Sequence, residues 1–234
     1  MRTNDKPKNN IAMDIQKNLK EVLSQLPPHV RLVAVSKFHP NEAVEAAYAA
    51  GQRIFGESKE QELSRKQAAL PKDIEWHFIG HLQTNKVKYI APYIAMIDAV
   101  DSYKLLAEIN RQAEKCGRVI PCLLEIHIAE EDTKYGFTFE SCRQMLREGR
   151  WRELDHVVIS GVMGMATNTD NEDEIRREFR SLHTFFTELK DTFFSDSEAF
   201  REISMGMSHD YPLAVGEGST MVRVGSRIFG ERGY

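Results

Sequence analysis

Residues 31–40 read RLVAVSKFHP, an apolar run that ends at a lysine. Residues 32–36 are mostly apolar and rich in β-branched side chains, which is typical of a buried strand. Lys37 stands at the C-terminal end of this segment, and lysine is almost never fully buried without a partner. Pro40 interrupts the extended pattern, and a helical pattern follows over residues 42–50. The stretch therefore predicts a strand–helix unit with an ammonium group at its junction.

The same strand–helix rhythm continues along the chain. Seven further apolar segments predict strands, over residues 53–55, 75–79, 96–100, 122–128, 156–161, 202–205 and 221–224. Helical patterns lie between them, over residues 59–69, 85–91, 103–116, 139–148 and 172–190. Eight such units in about 200 residues predict a (β/α)8 barrel of the TIM type, near the lower end of its size range.

A doubly wound parallel sheet is the alternative fold. That fold usually has a glycine-rich turn after its first strand. The corresponding turn here is SKFHP, which contains no glycine. The barrel is therefore the favoured fold.

The chain is expected to form one domain over residues 11–234. Residues 1–10 are polar and predict a flexible N-terminus. Apolar residues at helical spacing over residues 11–26 predict an extra N-terminal helix, which two prolines end. No composition shift or low-complexity linker follows.

Composition excludes several classes of function. The 234 residues carry a net charge of -4, which argues against a general nucleic-acid binder. No apolar run approaches the ~18 residues of a membrane span, and the polar start MRTNDKPKNN does not read as a signal peptide. The three cysteines have no zinc-type spacing. They indicate reduced thiols and a cytoplasmic location.

A barrel gives Lys37 a defined place. Side chains alternate along a strand, so Val33, Val35 and Lys37 share one face. If that face points into the barrel, Lys37 lies at the C-terminal mouth, where the active sites of such barrels are found.

Five predicted strand ends are rich in glycine and small polar residues. They read IFGES (54–58), FIGHLQTNK (78–86), GVMGMATN (161–168), SMGMSHD (204–210) and EGSTMVRVGSRIFGE (217–231). The last two predict a phosphate site, because barrels commonly bind phosphate in the loops after strands 7 and 8. Ser208, Gly225 and Ser226 would supply hydroxyls and backbone amides. Turn glycines with a helix-capping serine are the alternative interpretation.

Arg223 lies within the eighth predicted strand. A buried guanidinium needs a partner, which is either a carboxylate, such as Glu57 or Glu125, or a bound ligand. An imine-forming lysine, a phosphate site and an arginine at one mouth indicate a phosphate-bearing aldehyde, and pyridoxal 5′-phosphate (PLP) fits. Burial disfavours the ammonium form of Lys37 and so favours the neutral amine that reacts.

Other combinations indicate chemistry less clearly. His77 and His81 stand four residues apart but straddle a strand end and Gly80, so no metal site is expected. Glu125 and His127 share a strand face, which favours a structural hydrogen bond. Four methionines are expected to pack around the mouth: Met163, Met165, Met205 and Met207.

The sequence closely resembles a family of PLP-binding homeostasis proteins, the bacterial YggS-like proteins and their eukaryotic relatives. The matching segments are VAVSKFHP, IFGES, WHFIGHLQTNK, SGVMGMA, SMGMSHDY and EGSTMVRVGSRIFGER, and they are distributed from about residue 31 to residue 231, nearly the whole chain. The family's fold resembles the barrel domain of alanine racemase, which is a fold-type III PLP protein.

By this resemblance, Lys37 would carry PLP covalently as an internal aldimine. Ser208, Gly225 and Ser226 would hold the phosphate, and Arg223 would face the pyridine nitrogen.

The resemblance adds three further residues to the cofactor site. Met207 and Val224 would help to frame it. Ser58 stands where the family commonly has an asparagine near the cofactor. The serine is shorter and lacks an amide donor.

The resemblance implies a PLP binder of vitamin B6 homeostasis without robust catalysis, and no catalytic residue is assigned. An arginine beside the ring nitrogen disfavours ring protonation and so weakens the electron sink. The second domain and tyrosine of alanine racemase have no counterpart before Tyr234. The alternatives are a fold-type III racemase or lyase and, without cofactor, an aldolase that uses Lys37. Client enzymes that receive PLP, and a monomeric state, are further expectations.

Overall fold

The computed structural model describes residues 5–130 and 135–231. In these residues eight parallel strands close into one barrel, and each strand pairs with its neighbours in sequence order. The strands are β1 (Arg31–Val35), β2 (Ile54–Glu57), β3 (Glu75–Phe78), β4 (Met96–Val100), β5 (Ile120–Ile126), β6 (Val157–Gly164), β7 (Glu202–Ser204) and β8 (Met221–Val224). β8 pairs with β1 and completes the closure. The predicted (β/α)8 barrel is confirmed, and the doubly wound alternative is wrong.

Helices cover the outside of the barrel. They are α1 (Asp5–Ser24), α2 (Asn41–Ala49), α3 (Glu60–Ala69), α4 (Val87–Ile90), α5 (Tyr103–Lys115), α6 (Phe139–Glu148), α7 (Glu172–Phe193), α8 (Tyr211–Gly216) and α9 (Ser226–Phe229). Side-chain oxygens of Ser102, Thr138 and Asn171 cap the first turns of α5, α6 and α7. Such caps satisfy backbone amides that have no partner within the helix. None of the helices in the described residues has both the length and the apolar character needed to cross a membrane.

The N-terminal helix is longer than the sequence predicted. The hydrophobic spacing placed it over residues 11–26, whereas α1 spans Asp5–Ser24. The residues before Ile11 are polar, so the hydrophobic spacing could not reveal that they are helical. Pro7 lies in the first turn of the helix, where the backbone amide has no hydrogen-bond partner within the helix, so proline does not weaken it. Residues 1–4 lie outside the described residues, and a flexible N-terminus over residues 1–10 stays a prediction.

The strands separate an inner layer from an outer one. Val33, Met163 and Met221 pack inside the barrel. Ala34 and Val224 pack outward against the helices. The pairing of β1 with β8 places Val33 beside Arg223 and Ala34 beside Val224. Because side chains alternate along a strand, Arg223 points into the barrel and Val224 points away from it.

Several boundaries differ from the prediction by a few residues, and the end of β6 differs for a local reason. β6 runs three residues past Gly161, since Val162 and Met163 still pair with β5 and β7. Gly161 had indicated the end of that strand. The link from β7 to β8 contains a helical turn, α8, which begins at Tyr211 with Pro212 in its first turn.

The extra helix α1 lies beside the closure of the barrel. It packs against α2 and α9, and its buried face includes Ile15 and Leu19. The Asn18 side-chain amide donates to the Ile228 carbonyl oxygen at 3.3 Å. Helix α1 therefore supports the short helix that follows β8.

Candidate functional site

A cavity of about 230 Å³ opens at the C-terminal end of the barrel. Six of the eight residues that the sequence assigned to the cofactor site line it: Lys37, Met207, Ser208, Arg223, Gly225 and Ser226. They come from the ends of β1, β7 and β8, which lie side by side in the closed sheet. The barrel thus brings the opening lysine and the strand-8 motif to one place.

The two remaining residues lie elsewhere. Val224 is fully buried in the layer between sheet and helices, and its side chain does not line the cavity. Alternation along β8 sends it outward, because Arg223 before it points inward. Ser58 is half-buried just after β2, close to Gly80 in the next loop, and it is also absent from the cavity lining.

Sequence reasoning missed several residues of the cavity wall. Ile79 lines it, and alternation along the third predicted strand was the signal that would have found it. Val35 also lines it; alternation had placed it on the face of Lys37, but it was not assigned to the site. His39 and His209 also line it. They lie in loops, where no regular alternation of side chains allows their direction to be predicted. Of the four methionines expected at the mouth, Met165 and Met207 are there; Met163 lies in the barrel interior and Met205 faces the helices.

The loops after β7 and β8 are bonded to each other. The Gly225 amide donates to Ser208 Oγ at 3.0 Å, and Arg227 Nε donates to the Ser208 carbonyl oxygen at 3.0 Å. Asp210 Oδ1 accepts from the Met207 amide at 2.5 Å. Ser208, Gly225 and Ser226 therefore line one cavity from two loops that are bonded to each other. Such a set of hydrogen-bonding groups suits an anionic group.

Gly206 allows the loop after β7 to adopt this arrangement. Its φ is +97°, and a Cβ there would lie 2.6 Å from the Ala214 Cβ on α8. Only glycine adopts such a conformation at this closeness without strain. The glycine therefore lets the loop fold tightly against α8 and turn Met207 and Ser208 towards the cavity.

Arg223 is 4% exposed and is held by neutral partners. Its Nη1 donates to Ser204 Oγ at 2.7 Å, and its Nη2 donates to the Gly164 carbonyl oxygen at 3.0 Å. These bonds, rather than an ion pair with Glu57 or Glu125, anchor the guanidinium among the described residues. Two of its five N–H groups are used in these bonds, and the side chain lines the cavity.

Burial lowers the pKa of Arg223, and three surrounding carboxylates oppose this effect: Asp98, Asp210 and Glu125. An arginine remains charged at any pH near neutrality. The cavity floor therefore carries a fixed positive charge, balanced at longer range by acidic residues.

Glu125 is a buried acid in the barrel interior. Burial and the charge of Asp101 raise its pKa to about 7, and Arg223 acts in the opposite direction. Its Oε2 has no hydrogen-bond partner among the described residues. The carboxyl is thus held close to its protonation midpoint at neutral pH.

The two histidines of the β3 segment pair with different aspartates. His77 Nδ1 lies 3.0 Å from Asp98 Oδ1 in the buried interior. His81 Nδ1 lies 3.0 Å from Asp101 Oδ2 and its ring stacks on Tyr135 with centroids 4.1 Å apart. Each imidazole is therefore oriented by its own carboxylate, and the two do not converge on one point.

The cavity combines an amine, a guanidinium, two hydroxyls and backbone amides within a wall that is partly apolar. The amine is that of Lys37, and the apolar part includes Val35, Ile79 and Met165. These groups fit an aromatic aldehyde with an attached phosphate, since each polar part of that ligand has a complementary group.

Comparison with known proteins identifies the family. A family profile described as "Alanine racemase, N-terminal domain" matches residues 13–233. A pyridoxal phosphate homeostasis protein of Aquifex aeolicus is 37% identical over 205 residues, which cover 87% of this chain and 88% of the relative. The chain belongs to the pyridoxal phosphate homeostasis protein family. The resemblance stated from the sequence motifs is confirmed.

Solved structures agree with the family's fold. PipY of Synechococcus elongatus PCC7942, whose structure was solved with PLP bound, is 39% identical with a TM-score of 0.83, and the match covers 92% of this chain and 100% of PipY. Alanine racemase of Streptomyces coelicolor A3(2) is 16% identical with a TM-score of 0.76, over 94% of this chain and 58% of the racemase. The similarity to alanine racemase concerns the barrel fold alone.

Proposed function

We propose that this protein binds PLP at the mouth of the barrel and takes part in the intracellular homeostasis of vitamin B6. The observation that carries the proposal is the position of Lys37, Arg223 and the Ser208–Gly225 pair on one cavity. Membership of the family and the PLP-bound structure of PipY support it.

The loops after β7 and β8 hold the phosphate in this proposal. Ser208 and Ser226 offer hydroxyls, and Gly225 offers close approach of the backbone. A Cβ at Gly225 would lie 3.0 Å from the Val35 carbonyl oxygen, so the loop already packs tightly on the end of β1. This contact brings the phosphate side of the cavity next to the strand that ends at Lys37.

Lys37 holds the cofactor covalently in this proposal. Its Nζ forms a C=N bond to the aldehyde carbon, and the aldehyde oxygen leaves as water. A covalent link together with phosphate contacts retains the ligand more firmly than either alone. Met207 packs at the cavity wall, whereas contributions of Ser58 and Val224 would have to come from outside the cavity lining.

Arg223 supports binding without robust catalysis. PLP supplies an electron sink for reactions of amino acids when its ring is protonated. The Arg223 cation, if it faces the ring nitrogen, disfavours that protonation because two positive charges would be adjacent. We therefore assign no catalytic residue in this chain.

The alternative is a fold-type III racemase or lyase acting on amino acids, which an imine-forming lysine and a phosphate site at one mouth would also serve. It predicts exchange of the α-proton of an amino acid for deuterium in deuterium oxide, faster than with free PLP. Failure of every amino acid to exchange faster than with free PLP removes this alternative.

Three wider features complete the proposal: a cytoplasmic location, a monomeric state and delivery of PLP to client enzymes. Cys116, Cys122 and Cys142 are free thiols, which is typical of a reducing compartment. Sedimentation at several concentrations tests the monomer, and transfer of PLP to an apo-enzyme under dilution tests delivery.

The main experiment measures the visible absorption of the protein with PLP. The wild type should develop the band of a lysine-linked cofactor, and Lys37→Ala should not. Lys72→Ala, at an exposed lysine whose ammonium donates to the Ala68 carbonyl oxygen, is the control and should retain the band. Borohydride reduction followed by peptide mass analysis should place the modification on Lys37. A wild type that shows no band with excess PLP would overturn the proposal.

A further inference from the structure

A buried group of charged residues lies directly behind Lys37. Lys66 of α3 has a side chain that is 5% exposed, and its three ammonium hydrogens have three acceptors. Nζ donates to the Ser36 carbonyl oxygen at 2.7 Å, to Glu57 Oε1 at 2.8 Å and to Glu62 Oε1 at 2.8 Å. We call these residues, Lys66, Glu57 and Glu62, the α3 charge cluster.

The α3 charge cluster bonds to the backbone on both sides of Lys37. Lys66 binds the carbonyl of the Ser36–Lys37 peptide. Glu62 Oε1 accepts from the amide of the Lys37–Phe38 peptide at 2.7 Å. The two peptide groups that flank the Lys37 Cα are therefore both fixed by charge-assisted hydrogen bonds, which are about twice as strong as neutral ones.

The conformation of the next residue shows why such fixation is needed. Phe38 has φ +68°, and in the described residues it is the one non-glycine residue with a positive φ. That conformation is unfavourable for an aromatic residue and persists only where the surroundings hold it. The Phe38 side chain is 46% exposed, so apolar burial contributes little to holding it. The bond to Glu62 supplies a specific restraint.

Stability alone is a weak reason for this cluster. Buried ion pairs are often no more stable than apolar side chains of the same size, because both charges lose their hydration. Glu57 is fully buried, accepts a second bond from Ser36 Oγ at 2.6 Å, and leaves its Oε2 without a partner among the described residues. Such an arrangement is expected where it fixes a particular geometry.

The geometry that this fixation controls is the position of the Lys37 amine relative to the cavity. The loop that carries Gly225 packs on the end of β1, so the distance between the amine and the phosphate side depends on the backbone at residues 36–38. A small displacement of reacting groups has a large effect on the ease of forming a bond.

We propose that Lys66 and Glu62 are positioning residues, which hold the two peptide groups that flank Lys37 and so direct its amine into the cavity. This inference rests on the proposed function of Lys37 as the residue that links PLP. Neither residue lines the cavity, and both act through the backbone.

The test compares two glutamates in the first turn of α3. Glu62→Ala removes the acceptor of the Phe38 amide. Glu60→Ala is the matched control, because the Glu60 side chain is 11% exposed against 13% for Glu62. Glu60 pairs with Lys86 and accepts a hydrogen bond from Ser64 Oγ, whereas Glu62 accepts from the Phe38 amide. Glu62→Gln is the conservative variant, whose amide oxygen can still accept from Phe38.

The first measurement is hydrogen exchange of the peptide spanning residues 36–40, without any ligand. Loss of one charge-assisted bond should speed its exchange about tenfold or more in Glu62→Ala. Exchange should stay unchanged in Glu60→Ala and return towards the wild-type rate in Glu62→Gln. An unchanged rate in Glu62→Ala would overturn the proposal.

The second measurement separates the covalent link from the phosphate contacts. PLP is compared with pyridoxine 5′-phosphate, which has an alcohol in place of the aldehyde. Glu62→Ala should weaken PLP binding about tenfold and leave binding of the alcohol unchanged. Equal weakening of both ligands would mean general disturbance of the cavity and would overturn the positioning role. Lys66→Met should act in the same direction as Glu62→Ala.

The two proposals fail in different ways. A wild type that takes up no PLP overturns the proposed function. Hydrogen exchange needs no ligand and still decides whether the α3 charge cluster holds residues 36–38.

Discussion

Ser208 and Gly225 lie on different strand-end loops and are joined by a hydrogen bond of 3.0 Å from the glycine amide to the serine Oγ. This bond ties the loop after β7 to the loop after β8 at the cavity. It leaves the serine hydroxyl hydrogen available for a ligand, because Oγ acts as the acceptor in the bond. The pair therefore combines a structural role with a binding role.

Ser208→Ala should weaken PLP binding about tenfold, because a hydrogen bond to a charged phosphate is lost and the Gly225 amide loses its acceptor. Titration followed by visible absorbance measures the change. Ser181→Ala is the control: that hydroxyl donates to the Glu178 carbonyl oxygen on α7, away from the cavity. An affinity equal to that of the wild type would exclude Ser208 from the phosphate site.

Arg223→Gln should change the ionisation of the bound cofactor. Removal of the cation relieves repulsion at the ring nitrogen, so the pKa of that nitrogen should rise by about one unit or more. The absorption of the loaded protein, followed against pH, measures this shift. Arg180→Gln, at an exposed arginine paired with Glu217, is the control. An identical titration in Arg223→Gln and wild type would show that Arg223 does not face the ring nitrogen.

The sequence predicted the residues whose positions follow from strand alternation and from recurring barrel sites. Lys37 was placed at the mouth in this way, and Arg223 was recognised as a charge within a strand. Val224 was assigned to the cofactor site only through the family resemblance. Alternation along the strand beside Arg223 would have placed its side chain outside the cavity. Ser58 entered in the same way.

The α3 charge cluster could not be predicted because it joins three separate elements. Lys66 and Glu62 stand on a helix with many charged residues, EQELSRKQAA, and such a pattern is typical of a solvated face. Their burial depends on how α3 packs over the ends of β1 and β2, which is a tertiary contact. Glu57 was considered only as a partner for Arg223, since nothing local indicates which face of β2 it occupies.

Gly206→Ala should destabilise the protein and weaken PLP binding. Its positive φ disfavours alanine, and the added Cβ would lie 2.6 Å from the Ala214 Cβ. We expect a loss of roughly 2–4 kcal/mol in the free energy of unfolding. Gly51→Ala separates the two causes, because φ is +103° there but nothing lies within 4 Å of the added Cβ. That variant should lose only about 1 kcal/mol and keep its PLP affinity. Equal losses in urea unfolding would contradict the steric part of this explanation.

Glu125 should make stability depend on pH between about 4.5 and 7. Its pKa is raised from 4.5 to about 7 in the folded protein by burial, so the native state keeps a proton that the unfolded chain releases. The contribution is fully present below pH 4.5 and is lost as pH rises through 7, with a total of about 3 kcal/mol. Glu125→Gln should therefore be less sensitive to pH than the wild type in that window.

The measurement for Glu125 is the free energy of unfolding in urea at pH 4.5, 6 and 8. The difference between wild type and Glu125→Gln isolates this carboxyl from other groups that titrate. Glu153→Gln, at an exposed glutamate, should follow the wild type at every pH. If the difference between wild type and Glu125→Gln is constant over the three values, Glu125 titrates normally in the folded protein. Bound PLP should leave the sign of this dependence unchanged, because Glu125 does not line the cavity.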